Sequence, residues 1–140
     1  MTMRGKVIVA VAAVLALFAL YWFGFRTDPR VDALNHAITT QGSAALRHYA
    51  YPFRVLRMEG TVAVMGTPRS PEMPVEKMIR VIDPSLEGAD PSNPDFVAAE
   101  KQMADLQFEA RRIVLAQPGV TGVRFELDRD WLRSQGVDVD

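Results

Sequence analysis

The chain contains no cysteine among its 140 residues. That excludes disulfides, thiolate nucleophiles and cysteine-ligated metals. Histidine is almost as scarce. His36 and His48 are the only two, and neither has an acidic residue four positions downstream. A metal site needs three or four converging ligands, so both are expected in surface or structural roles. Ser43 and His48 lie five residues apart on one helical stretch, do not face each other well, and have no third member of a nucleophilic triad. There is no glycine-rich phosphate loop. Asp90, Asn93 and Asp95 approach a calcium loop, but the spacing departs from that pattern and no bidentate glutamate follows. Excess positive charge is lacking too. Beyond residue 26, 13 Lys and Arg face 17 Asp and Glu, a net charge of −4. Phosphate binding needs a basic footprint, so a nucleic-acid partner is not expected. No cofactor is expected either.

The sharpest absence is local. Val7 to Phe25 (VIVAVAAVLALFALYWFGF) is a run of 19 residues without a charge. As a helix it is about 28 Å long, close to the hydrocarbon thickness of a bilayer. A cleaved secretory signal has a shorter apolar core and ends in small residues. This run ends in Tyr21, Trp22, Phe23, Gly24 and Phe25, bulky aromatics that suit the membrane–water interface. An uncleaved anchor is therefore expected, dividing the chain into a cytoplasmic tail (1–6), a transmembrane helix (7–25) and an extracytoplasmic domain (26–140). Arg4 and Lys6 precede the run. Arg26 and Arg30 follow it beside Asp28 and Asp32. The positive-inside rule then favours the N-terminus in the cytoplasm and the domain outside, in the periplasm of a bacterium. About 114 residues make one small domain. Its charge is uneven, +3 over residues 30–82 and −6 over 83–140.

Asp28-Pro29 opens a helix, with Asp as cap and Pro at the first position. Val31, Leu34 and Ile38 recur at helical spacing. Gly42 interrupts, and Ser43 caps a short second helix through His48. Tyr49, Tyr51 and Phe53 around Pro52 mark the change to extended chain. Over 54–65, Leu56, Met58, Val62 and Val64 alternate with Arg57, Glu59 and Thr61, which reads as one strand or a tight strand pair with Gly60 as bulge or turn. Residues 66–74 form a loop. Val75 to Asp83 reads as a further strand, with Met78 and Ile82 on one side and Val75, Ile79 and Val81 on the other. Asn93-Pro94-Asp95 is a strong helix start, and Phe96, Ala99, Met103, Leu106, Ala110 and Ile113 form its apolar stripe. Pro118-Gly119 ends it, Val120 to Leu127 forms a last strand, and Asp128 to Gln135 adds a helical turn. The expected fold is α+β: a transmembrane helix, then a small α-β-β-α-β domain with helices packed on one mixed sheet.

Two segments resemble the BON domain, a small module of the bacterial envelope. Glu59-Gly60-Thr61-Val62-Ala63-Val64-Met65-Gly66 is similar to that family's strand signature. Ala110 to Val123, closing in Pro118-Gly119-Val120, is similar to its final helix and strand. Residues 67–93 depart from the family, which passes quickly from the strand signature to the second helix. The resemblance implies attachment to envelope lipids or proteins without a catalytic centre.

The reading is a membrane-anchored, non-catalytic domain that binds a lipid surface, the cell wall or a partner in a membrane complex. Its expected contact residues are Tyr49, Tyr51, Phe53, Arg54 and Arg57. Two other classes stay open. One is an immunity or inhibitor protein that blocks a toxin, suited to an acidic half facing a basic target. The other is a membrane-surface hydrolase using the loop carboxylates Glu87 and Asp90.

Overall fold

Among the described residues, six α-helices and one three-stranded mixed sheet make up an α+β fold. The computed structural model describes residues 2–25, 28–71 and 73–139, with the side chains of 21–25 left aside. The expectations resting on the interfacial aromatics and on Arg26 lie outside the described residues.

Helix α1 (Met3–Phe25, 23 residues) starts four residues before the uncharged run. Over Met3–Leu20 its mean hydropathy is 2.1, and none of that span is buried. One N-terminal helix is thus long and apolar enough to cross a membrane, a property a signal sequence shares. Helix α2 (Pro29–Gln41) begins as its sequence requires, with the Arg30 amide donating to Asp28 Oδ1 at 2.9 Å. Helix α3 (Ala44–Arg47) is capped by Ser43, whose Oγ accepts from the Leu46 amide at 3.2 Å. Glu109 fixes that corner, accepting from Ser43 N at 2.7 Å and Ser43 Oγ at 2.8 Å.

Residues 54–67 form a strand pair. Strand β1 (Val55–Glu59) turns at Gly60, which has φ 62°, into β2 (Val62–Thr67). Glycine adopts such a φ without the steric cost a Cβ brings. The two strands are antiparallel, with an irregularity between Val55 and Arg57. Asn35 of α2 completes the edge of β1. Its Nδ2 donates to Val55 O at 3.1 Å and its Oδ1 accepts from Val55 N at 2.7 Å.

The segment expected as a strand at 75–83 is helix α4 (Val75–Ile82). Val75, Met78, Ile79 and Ile82 stand at i, i+3, i+4 and i+7, which is helical spacing. The strand reading set Met78 and Ile82 against Val75, Ile79 and Val81, but the same residues also fit a helix, and packing selects the helix. Met78 and Ile79 are fully buried. The α-β-β-α-β order is therefore incomplete. Helix α4 and a 3₁₀ turn (Pro84–Leu86) lie between β2 and helix α5 (Pro94–Leu115).

The apolar stripe of α5 is as expected except at Ala99, which is half-buried. Phe96, Met103, Leu106, Ala110 and Ile113 are buried, joined by Val114. This helix packs on α2, α3, α4 and β2, and on strand β3 (Gly122–Leu127). Strand β3 pairs parallel with β2, giving the order β1-β2-β3. Helix α6 (Arg129–Ser134) closes the fold, with Leu132 buried.

Candidate functional site

The segment before β1 alternates. Tyr51 and Phe53 point inward and are 0% and 5% exposed, while Pro52 and Arg54 point out. The Tyr51 ring meets Phe53 edge-on at 4.8 Å and Trp131 edge-on at 4.9 Å. Its Oη donates to Asp128 Oδ2 at 2.9 Å. Arg54 donates to the same oxygen from Nε at 3.3 Å and Nη2 at 3.1 Å. Asp128 Oδ1 accepts from the Trp131 amide at 3.1 Å, capping α6. Asp128 is 2% exposed, and both its oxygens are occupied by donors. Gly66 on β2 leaves the space for this cluster, because a Cβ there would collide with Tyr51 Oη and stand 3.0 Å from Asp128 Oδ2. Burial pushes the Tyr51 phenol far above its ordinary range, and the Asp128 charge adds to that. A carboxylate held this way is a structural anchor, not a free base.

Of the five expected contact residues, Tyr51 and Phe53 thus belong to the core. Tyr49 is half-buried and stacks on Phe53, with ring centroids 6.0 Å apart. Arg54 is committed to Asp128. Arg57 lies on the outer face of the sheet, where it bridges over the central strand. Its Nη1 donates to Glu126 Oε2 on β3 at 2.7 Å, and its Nε to Glu59 Oε1 at 3.2 Å. Arg124 Nη2 crosses the other way to Glu59 Oε2 at 2.9 Å. Val64 is aligned between Arg57 and Arg124 on the strands to either side and is completely covered. Long cationic side chains cover apolar neighbours with their stems, which accounts for a buried valine between two exposed arginines. Each positive charge on this face is neutralised within the chain, which the sequence alone did not show.

Hollows lie at the two opposite ends of the sheet. Beyond Thr67 and Leu127, where the parallel pair β2/β3 finishes, a cleft of about 550 Å³ opens between the 67–75 loop and α5. Thr67 Oγ1 donates to Gln107 Oε1 at 2.7 Å in its floor, and Met73 and Phe125 supply apolar wall. Arg69 lines it, and Lys77 lines a smaller adjoining hollow beside Asp138. Among the described residues neither cation has a carboxylate partner. The signal available in sequence was an arginine, Arg69, in a proline-rich loop after a strand. At the other end, a groove of about 260 Å³ lies between α2, Met58 and the 117–120 turn.

The remaining candidates are dispersed. His36 and His48 are exposed. Asn93 Oδ1 accepts from the Asp95 amide at 2.9 Å, a helix cap. Asp90 accepts from Ser92 Oγ at 2.7 Å and Ser92 N at 2.8 Å, and these bonds hold its carboxyl below the usual range. Glu87 is exposed. Among the described residues no group of three His, Cys, Asp or Glu side chains converges as metal ligands would. No protein-family model, curated protein or solved structure matches the chain.

Proposed function

We propose that the chain is a single-pass envelope protein of bacteria whose non-catalytic domain stands at the outer surface of the cytoplasmic membrane. The domain presents its cleft to a partner in the periplasm. One observation carries this reading: the domain has polarity. The first turn of α2, which follows α1, is bonded to the turn that starts β2, through Arg30 Nη1 and Gly60 O at 3.1 Å. Strand β2 ends at Thr67, in the cleft. Six strand residues separate the two ends by about 20 Å. A domain tethered at one end and open at the other is built to hold a partner near, yet off, the bilayer. Anchoring raises the local concentration of both.

The cleft's chemistry suits a carboxylate-bearing segment of an envelope protein, received by Arg69 and Lys77 with apolar contact on Met73 and Phe125. The two BON-like segments support the same class. They coincide with the β1–β2 turn and with the passage from α5 to β3.

Photo-crosslinking in whole cells tests the proposal. A crosslinker at Ser70 or Lys77 is expected to give one discrete adduct that Arg69→Glu abolishes. A crosslinker at Glu126, on the neutralised sheet face, is expected to give none. Equal labelling at all three positions would contradict it.

A further inference from the structure

We infer that the rim formed by the β1–β2 turn (58–61) and the turn after α5 (117–121) rests on the bilayer, with the groove beside it taking up lipid. This rests on the anchored reading of α1 and adds the face that the domain turns to the membrane.

Chain length supplies the first argument. Phe25 and Pro29 are four residues apart, and four residues span at most about 14 Å. If α1 ends at the interface, the first turn of α2 stays within reach of the headgroups. The second argument is rigidity. Asp28 and Arg30 hold each other, with Arg30 Nη2 donating to Asp28 Oδ2 at 3.0 Å. Arg30 in turn grips Gly60 O. The two turns are tied by the Thr121 amide, which donates to Thr61 O at 2.9 Å, and by a 2.6 Å bond between the hydroxyls of Thr61 and Thr121. Whatever fixes α2 near the bilayer fixes both turns there.

Chemistry is the third argument. Residues 58–62 and 116–122 carry a single charge, Glu59. That carboxylate turns onto the outer sheet face, to Arg57 and Arg124. The domain as a whole is acidic, and an anionic leaflet repels acidic surface. The rim escapes that repulsion. Its glycines, Gly60 (φ 62°) and Gly119 (φ 81°), make slim turns with nothing within 4 Å of where a Cβ would stand. Between them and α2, Met58, Ala33, Leu34 and Val120 line the 260 Å³ groove, with Arg30 and Gln117 at its polar edge, where the guanidinium suits an anionic headgroup. Neutral turns with half-exposed apolar side chains suit the headgroup–acyl boundary.

The absence of cysteine makes the test direct, since a single introduced cysteine takes all the label. Nitroxides are placed at Pro118→Cys and Val120→Cys on the rim, and at Arg69→Cys and Asp138→Cys at the cleft end. The full chain is reconstituted in vesicles of phosphatidylethanolamine and phosphatidylglycerol. The ratio of collisions with oxygen to collisions with a polar nickel chelate is expected to be several-fold higher at the rim positions than at the cleft positions. Val120→Asp is expected to bring the Pro118 label toward the water value while the protein stays in the vesicles. A water-like ratio at Pro118 and Val120 in protein that resists carbonate would overturn the rim contact and leave anchoring intact. Dipolar broadening between rim labels of two copies would overturn it as well, by naming a second chain as the occupant. Protein released by carbonate would remove the anchored reading and the rim contact with it.

Discussion

Tyr51 and Asp128 stand 77 positions apart in the chain, yet Tyr51 Oη donates to Asp128 Oδ2 at 2.9 Å in the interior. That bond joins the segment leading into β1 to the helix that follows β3, across the glycine of the strand between them. It closes the domain as a unit, and most of the stability predictions follow from it.

Gly66→Ala places a methyl group against both partners. Backbone strain is not the cause, since Gly66 lies in a regular strand. The cause is volume. Overpacking together with loss of a buried hydrogen bond costs about 2–4 kcal/mol. Urea unfolding of the full chain in detergent micelles is expected to show that loss.

Asp128→Ala and Asp128→Asn separate charge from hydrogen bonding. Alanine leaves the Tyr51 hydroxyl buried without an acceptor and removes the cap of α6, costing roughly 3–5 kcal/mol. Asparagine keeps one acceptor oxygen for Tyr51 or the Trp131 amide, and Arg54 can rehydrate from the surface. Its cost is expected near 1–2 kcal/mol. Equal losses by thermal unfolding would show that the charge, not the bond, holds the cluster.

Alkaline solution weakens the fold through two phenols. Burial and the nearby Asp83 push Tyr49 up to about 12, and Tyr51 moves the same way. In the unfolded chain both ionise near 10. Their contribution is therefore full below about pH 10 and is lost as pH rises toward the folded values. Absorbance near 295 nm is expected to show two tyrosines ionising late, together with loss of near-ultraviolet circular dichroism.

Acid acts on the outer sheet face. Arg57 holds Glu126, and Arg124 together with Arg57 holds Glu59, below the usual carboxylate range. That stabilisation is present above the ordinary carboxylate pKa and is lost as pH falls through the folded values. Arg57→Gln is expected to flatten the decline in urea midpoint between neutral pH and about pH 3.5. Salt is expected to flatten it too, because these groups are open to solvent.

Much of this architecture could be read from residue order, and the failures have physical causes. Helix α5 was legible because capping at Asn93 and a long apolar stripe agree. The pair β1/β2 was legible from the turn at Gly60, but its faces were not: Val64 pairs with Arg57 and Val62 with Glu59, so both valines share the arginine face instead of that of Leu56 and Met58. Helix α4 was not legible, because its eight residues are rich in valine and isoleucine, and short apolar segments leave helix and strand ambiguous. A strand would set Val75, Ile79 and Val81 on one face. The helix instead buries Ile79 fully and leaves Val81 half-buried. Ile79→Ala is thus expected to cost about 2–4 kcal/mol and Val81→Ala less than about 1 kcal/mol. The five expected contact residues divide between the core, which takes Tyr51 and Phe53, and the surface, where Arg54 and Arg57 lie. Alternation around Pro52 turns Tyr51 and Phe53 inward, and the carboxylate partners of Arg54 and Arg57 arrive from residues 126 and 128. No local pattern announces a partner that far along the chain. The rim and the cleft were hidden for the same reason, since each is assembled from segments that meet only when β3 pairs beside β2.

An anchored domain requires that α1 remain part of the chain and lie in the bilayer. Intact mass spectrometry of the protein from carbonate-washed membranes of its own cells tests it most directly. A membrane-bound species whose mass still includes the α1 segment, Met3–Phe25, is expected. A lighter, soluble species beginning after Trp22 would contradict it.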